Sequence, residues 1–133
     1  MDPLFLGALG VTVVALIAVV ITGHRAQRNA HYVCVLLFFG ALAWAIRLAE
    51  IEGRNLVFDG ISGTIKQVHF VVVAIDFLLV PLLIWSGVSL ARKESVAMRA
   101  RHKKLAAAFV MLVLVTCGLG LAMTLTATRV AAG

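Results

Sequence analysis

His31, His69 and His102 are the side chains of this chain most able to do chemistry. His31 opens the second of its apolar stretches, His69 lies one turn into the third, and His102 stands in a basic collar before the fourth. An imidazole in or beside a bilayer is costly unless it binds a ligand, relays protons or pairs with another polar group, so each position is a candidate site. Asp76 poses the same question in stronger form, because a carboxylate near the midplane of a membrane must be paired or carry a proton. Arg47 is the candidate partner for Asp76; Arg47 and Glu50, three residues apart, also suit an ion pair with each other.

Composition determines the elements that hold these groups. Hydrophobic residues make up 62% of the chain and charged ones only 14%, with a mean hydropathy of +1.07, values that belong to integral membrane proteins. The stretches 4–22, 31–50, 68–90 and 105–125 each supply the roughly 20 residues needed to cross a hydrocarbon core of about 30 Å. Long apolar runs without period-two alternation specify helices over barrel strands, since backbone groups in lipid must be satisfied within their own segment. The expectation is an all-α, integral membrane four-helix bundle, one domain over 1–133, up-down in topology. Asp2, the absence of a basic residue ahead of the first stretch and the lack of a small-x-small cleavage site mark it as a retained helix, not a secretory signal, with Arg25 and Arg28 following it.

Lys and Arg set the expected orientation. The first and third connections carry Arg25, Arg28, Arg92, Lys93, Arg99, Arg101, Lys103 and Lys104, against Arg54, Lys66 and Arg129 in the second connection and the tail. This asymmetry predicts the first and third connections in the cytoplasm and both termini outside, a multi-pass protein of the bacterial cytoplasmic (inner) membrane. The sequence pI of about 10.2 then reflects anionic lipid headgroups; basic residues confined to helix flanks do not make a nucleic-acid surface. Gly53, Asn55, Asp59, Gly60 and Gly63 predict a turn-rich outer loop over 53–65. Cys34 and Cys117 fall at different depths and are expected as buried fillers, not a disulfide. Gly118 and Ala122 form a small-xxx-small pair suited to close packing inside the bundle or to a homodimer seam. Pro81 removes one backbone bond from the third helix and is a candidate kink. Trp44 and Trp85 read as packing groups or interfacial anchors. No repeat or low-complexity segment is evident.

Polar groups also line up by helical phase. On the third helix His69, Asp76 and Gly87 lie within about 20° of one direction, and on the fourth His102, Phe109, Thr116 and Gly120 form a comparable stripe. Both stripes should face the interior. Two polar clusters follow: an outer one of His69, Arg47, Glu50, Glu52 and Met123, and an inner one of His24, His31 and His102. In an up-down bundle in cyclic order, helices two and four are diagonal, and a flat macrocycle fits between two diagonal imidazoles. His31 and His102 are therefore a candidate bis-imidazole pair for haem, of the b type, with Arg101, Lys103 and Lys104 placed to meet its propionates. The alternative is copper or another metal ion on His31, His69 and His102, without HxxxH or CxxC support. Histidines at this depth also serve simply as solvated or lipid-contacting groups. No nucleophile, glycine-rich phosphate loop or carboxylate pair supports catalysis, so enzyme activity is not expected; a quinone-linked oxidoreductase would use the His69 and Asp76 stripe for protons.

The runs NAHYVCVLLFFGALAWAIR, QVHFVVVAIDFLLVPLLIWSG and RHKKLAAAFVMLVLVTCGLGLAM resemble the small four-helix membrane family that includes the cytochrome c oxidase assembly factor CtaM and the YozB-like proteins. The carriers are His31, Arg47, His69, the run Arg101-His102-Lys103-Lys104, Thr116 and Gly118, between about Gly23 and Met123. The resemblance implies a haem- or metal-binding protein that supports haem-copper oxidase maturation or membrane electron transfer, with a terminal oxidase as partner complex and His31, His69 and His102 as the functional set. His24 and Asp76 lie outside the family's pattern. A cofactor-free accessory subunit of a respiratory or photosynthetic complex is the competing expectation.

Overall fold

The computed structural model describes residues 2–93 and 95–129. Four helices, α1 (Pro3–His24), α2 (Arg28–Gly53), α3 (Gly60–Arg92) and α4 (Val96–Thr126), are joined by short connections, with a two-residue antiparallel ladder between β1 (Leu56–Val57) and β2 (Thr128–Arg129). The all-α class expected from hydropathy holds. All four helices are long and apolar enough to cross a membrane. Their outer faces carry large apolar side chains such as Leu36, Phe77, Leu78 and Trp85, exposed by 74%, 64%, 70% and 71%. So much contiguous apolar surface is compatible with lipid and not with water, and the chain is a multi-pass membrane protein.

The chain divides into two compact units. One comprises residues up to Val57 together with the segment from Ala127; the other runs from Phe58 to Thr126. Each is built on an antiparallel helical hairpin. In the first, Phe5, Ala8, Thr12 and Leu16 recur at spacings of three and four residues along α1 and are buried, as are Phe38 and Ala45 of α2. In the second, Phe109 and Val113 of α4 are buried. After α4 the tail returns to the first unit, where Thr128 and Arg129 pair with Val57 and Leu56 and the Arg129 guanidinium meets Glu52 at 2.8 Å.

Two helix starts differ from the hydropathy reading, for the same reason. α3 begins at Gly60, inside the expected 53–65 loop, because the buried Ser62 hydroxyl accepts from the Asp59 N–H at 3.0 Å and donates to the Asp59 carbonyl at 2.8 Å. α4 begins at Val96, so the basic run from Arg99 to Lys104 lies on its first turns and not in a loop. Apolar content marks where lipid begins; the helix extends beyond it wherever the first turn is capped. α3 also continues through Pro81 without a break in its helical assignment.

The α1–α2 turn sets the position of His31. Gln27 N–H reaches the Thr22 carbonyl at 3.0 Å and Ala26 N–H the Gly23 carbonyl at 3.3 Å, the paired bonds of a Schellman motif. Its left-handed residue is Ala26, at φ 55°. An L side chain in that region costs about 1 kcal/mol relative to glycine. Ala26→Gly is therefore expected to raise the thermal stability of the detergent-solubilised protein by about 1 kcal/mol; an unchanged or lowered melting temperature would contradict the turn geometry.

Candidate functional site

Each of the three histidines singled out by the sequence packs against a glycine of its hairpin partner helix. A methyl built on Gly23 would lie 3.0 Å from His31 Cε1 and 3.2 Å from its Nδ1. One on Gly120 would lie 3.2 Å from His69 Cε1, and one on Gly87 would lie 3.5 Å from His102 Cε1. In a membrane no hydrophobic drive separates helix from lipid, so helices associate through close packing and polar contacts, and glycine supplies the room for both.

His31 and His102 are held in matching ways. His31 Nδ1 lies 3.1 Å from the Val19 carbonyl and 3.3 Å from Thr22 Oγ1, while the Thr22 hydroxyl donates to the Ala18 carbonyl at 2.7 Å. A carbonyl only accepts, so Nδ1 carries a proton, and in the neutral ring the lone pair is on Nε2. His102 Nδ1 lies 2.8 Å from Ser86 Oγ, whose own proton goes to the Leu83 carbonyl at 2.9 Å. With that proton on Leu83, Ser86 accepts from His102 Nδ1–H, the arrangement that matches His31. In both hairpins a hydroxyl–glycine pair near the end of the first helix, Thr22-Gly23 or Ser86-Gly87, receives a histidine from the start of the second. Sequence inspection found no repeat. The signal was present in those two dipeptides and the histidines that follow them, but the unequal spacing, eight residues in one hairpin and fifteen in the other, hides it.

The third histidine belongs to a different arrangement. His69 and Asp76 share one face of α3, and Thr116 and Gly120 of α4 meet them: the Thr116 hydroxyl donates to Asp76 Oδ2 at 2.6 Å, and Gly120 underlies the His69 ring. The stripes read from helical phase thus face each other, with Gly87 opposite His102 at the far end. Asp76 is the middle residue of α3. His69 Nδ1 and Asp76 Oδ1 are buried without a hydrogen-bond partner.

Several expected partnerships do not form. Arg47, the anticipated partner of Asp76, bonds Glu50 at 2.7 Å, and Glu50 takes a second bond from Arg54 at 2.7 Å. All three side chains are more than half exposed, so a local pairing three or four residues apart takes Arg47 at little cost. Asp76 is satisfied instead by Thr116, a residue the sequence placed on the right stripe without assigning it that role. Arg101, Lys103 and Lys104 are exposed on the first turns of α4 beside His102, His24 is exposed at the end of α1, and Trp85 is exposed. Cys34 and Cys117 are free and belong to different units. Gly118 is exposed, with open space where its side chain would be. Among the described residues, no group of three or more His, Cys, Asp or Glu side chains converges to hold a metal ion.

Comparison with known proteins adds a relative but no activity. The chain is 32% identical over 91 residues to an uncharacterized protein of Archaeoglobus fulgidus, a match covering 68% of this chain and 59% of the relative. The aligned region thus spans less than two thirds of that protein's length. No family model matches the chain. No solved structure matches it.

The glycine contacts predict a graded series. Gly23→Ala and Gly120→Ala place a methyl closer to an imidazole than ordinary packing permits, and each should lower stability by about 1–3 kcal/mol. Gly87→Ala, at an ordinary contact distance of 3.5 Å, should be neutral or gain up to about 1 kcal/mol from helix propensity. Thermal melts of the three variants in one detergent check the order; equal losses at all three positions would contradict it.

Proposed function

We propose that this protein binds haem through His31 and His102 and supports haem-copper oxidase maturation or membrane electron transfer. The observation that carries the proposal is the shared mounting of those two imidazoles. A histidine that ligates a metal characteristically donates its other ring N–H to a carbonyl or similar acceptor, which fixes the tautomer and ring orientation. His31 does so to Val19, and His102 Nδ1 is held against the Ser86 hydroxyl, which supports Nε2 as the ligating nitrogen in each ring. Two imidazoles suffice for a b-type haem, and when bound that group supplies one-electron chemistry. Arg101, Lys103 and Lys104 provide positive charge for its propionates. Alternation of crossings and the Lys and Arg asymmetry support placing both histidines at the cytoplasmic face of a bacterial inner membrane, and the resemblance to the family of CtaM and YozB-like proteins supports a terminal oxidase as partner.

A reduced-minus-oxidised absorption spectrum of the detergent-purified full chain, with metal analysis on the same sample, tests this reading. The expected result is a Soret and α-band difference that is lost in both His31→Ala and His102→Ala, while His69→Ala retains it. Metal in stoichiometric amount without haem would move the reading to copper. Colourless, metal-free protein that co-purifies with a larger respiratory or photosynthetic complex would overturn it in favour of a cofactor-free accessory subunit.

A further inference from the structure

The His69, Asp76 and Thr116 array of the α3–α4 unit is separate from the residues assigned to haem. Three observations set it apart. First, Asp76 is at the centre of a helix that spans the membrane, where an ionisable side chain is kept only for a partner or a task. Among the described residues it makes no ion pair, and its one hydrogen bond comes from Thr116. Second, Thr116 abandons the usual habit of helical hydroxyls to make that bond. Thr12, Thr22, Thr64, Thr124 and Thr126 each donate to the carbonyl four residues earlier, the ordinary way to satisfy a hydroxyl in an apolar helix; Thr116 donates across the hairpin. Third, two buried polar atoms, Asp76 Oδ1 and His69 Nδ1, have no protein partner. Their residues share one face of α3, seven positions or about 10 Å of helix rise apart.

We propose that His69, Asp76 and Thr116 form an intramembrane proton-binding site, with Asp76 taking up and releasing the proton and His69 linking it toward the N-terminal end of α3. Thr116 occupies Oδ2, which leaves Oδ1 as the oxygen that receives the proton. On release the Oδ1–H bond breaks as a bond forms to the first water oxygen of a string, each water passes one of its own protons to the next, and the last protonates His69 Nδ1; the net transfer is one proton and no electron. Unpaired buried polar atoms at both ends of this path are what a short string of water needs at its termini. The groups facing Asp76 are His69 on its own helix and Thr116 and Cys117 on α4.

Infrared difference spectroscopy of the full chain in liposomes, titrated in pH and repeated in deuterated buffer, tests the site without reference to haem. The expected result is a carboxylic-acid carbonyl band that rises as pH falls, moves to lower frequency on deuteration and is lost in Asp76→Asn. Asp76→Glu should retain a band, and Thr116→Val should shift it, because the donor to Oδ2 is gone; this variant keeps the test decisive if Asp76→Asn fails to fold. His69→Gln should slow appearance of the deuterated band while leaving its final size unchanged. A spectrum with no protonated carboxyl band across the titration, or a band that survives Asp76→Asn, would overturn the proposal. Unaltered exchange in His69→Gln would remove His69 from it. Neither result bears on the haem spectrum, so the two readings fail separately.

Discussion

The seating of each imidazole on a glycine is the contact on which the remaining geometry depends. A hairpin of two apolar helices in lipid gains nothing from hiding apolar surface, because the lipid tails are equally apolar. Its register must come from shape and from the few polar bonds available. A ring that enters the notch left by a missing side chain fixes the helices along their axes, and a hydrogen bond from that ring to a carbonyl or hydroxyl of the neighbouring helix fixes its rotation. His31 on Gly23 does both for α1 and α2; His102 on Gly87, with Ser86 beside it, does both for α3 and α4. The Thr116–Asp76 bond and the His69–Gly120 contact extend the same register along the second hairpin.

Helical phase was enough to find the second hairpin's seam. His69, Asp76 and Gly87 on one helix and His102, Thr116 and Gly120 on the other were separable from sequence because polar and small residues at period 3.6 stand out against an apolar background. Their pairing across the hairpin follows from antiparallel order alone. The first hairpin was less readable: apart from His31, its contacts use Gly23, Thr22 and the Val19 carbonyl, and a backbone carbonyl leaves no trace in a sequence. Arg47 was matched to Asp76 because both are charges in apolar helices. Glu50 and Arg54 are closer along the chain and need no long side chain held in lipid, so local pairing prevails.

Helix limits were misjudged where apolar content and helix content diverge. Gly60 and Gly63 suggested a loop, yet Ser62, buried between them, bonds the Asp59 backbone in both directions and starts α3 there. The basic residues ahead of Leu105 suggested a loop as well. Lys and Arg are good helix formers, and their exposure on the first turns of α4 keeps the charge at the membrane surface while the backbone is already helical. The added turns of α3 lie outside the apolar stretch 68–90, so the depth of Asp76 is set by that stretch and not by the helix length.

The two kinds of histidine differ in what they leave unfinished, and that difference separates their roles. Around His31 and His102 the Nδ1 atoms are committed to the protein, which suits rings that must present Nε2 in one orientation. Around His69 it is Nδ1 itself that is buried and unpaired, while its ring packs on Gly120 and bonds the Thr116 backbone. With Nδ1 uncommitted, the ring can take up or give up a proton at that atom without breaking a protein contact. A ligand histidine gains from an Nδ1 committed to the protein, and a relay histidine gains from one left open. One chain carries both mountings on the same glycine-seated plan, with a hydroxyl, Thr22 or Ser86, against Nδ1 in one and none there in the other.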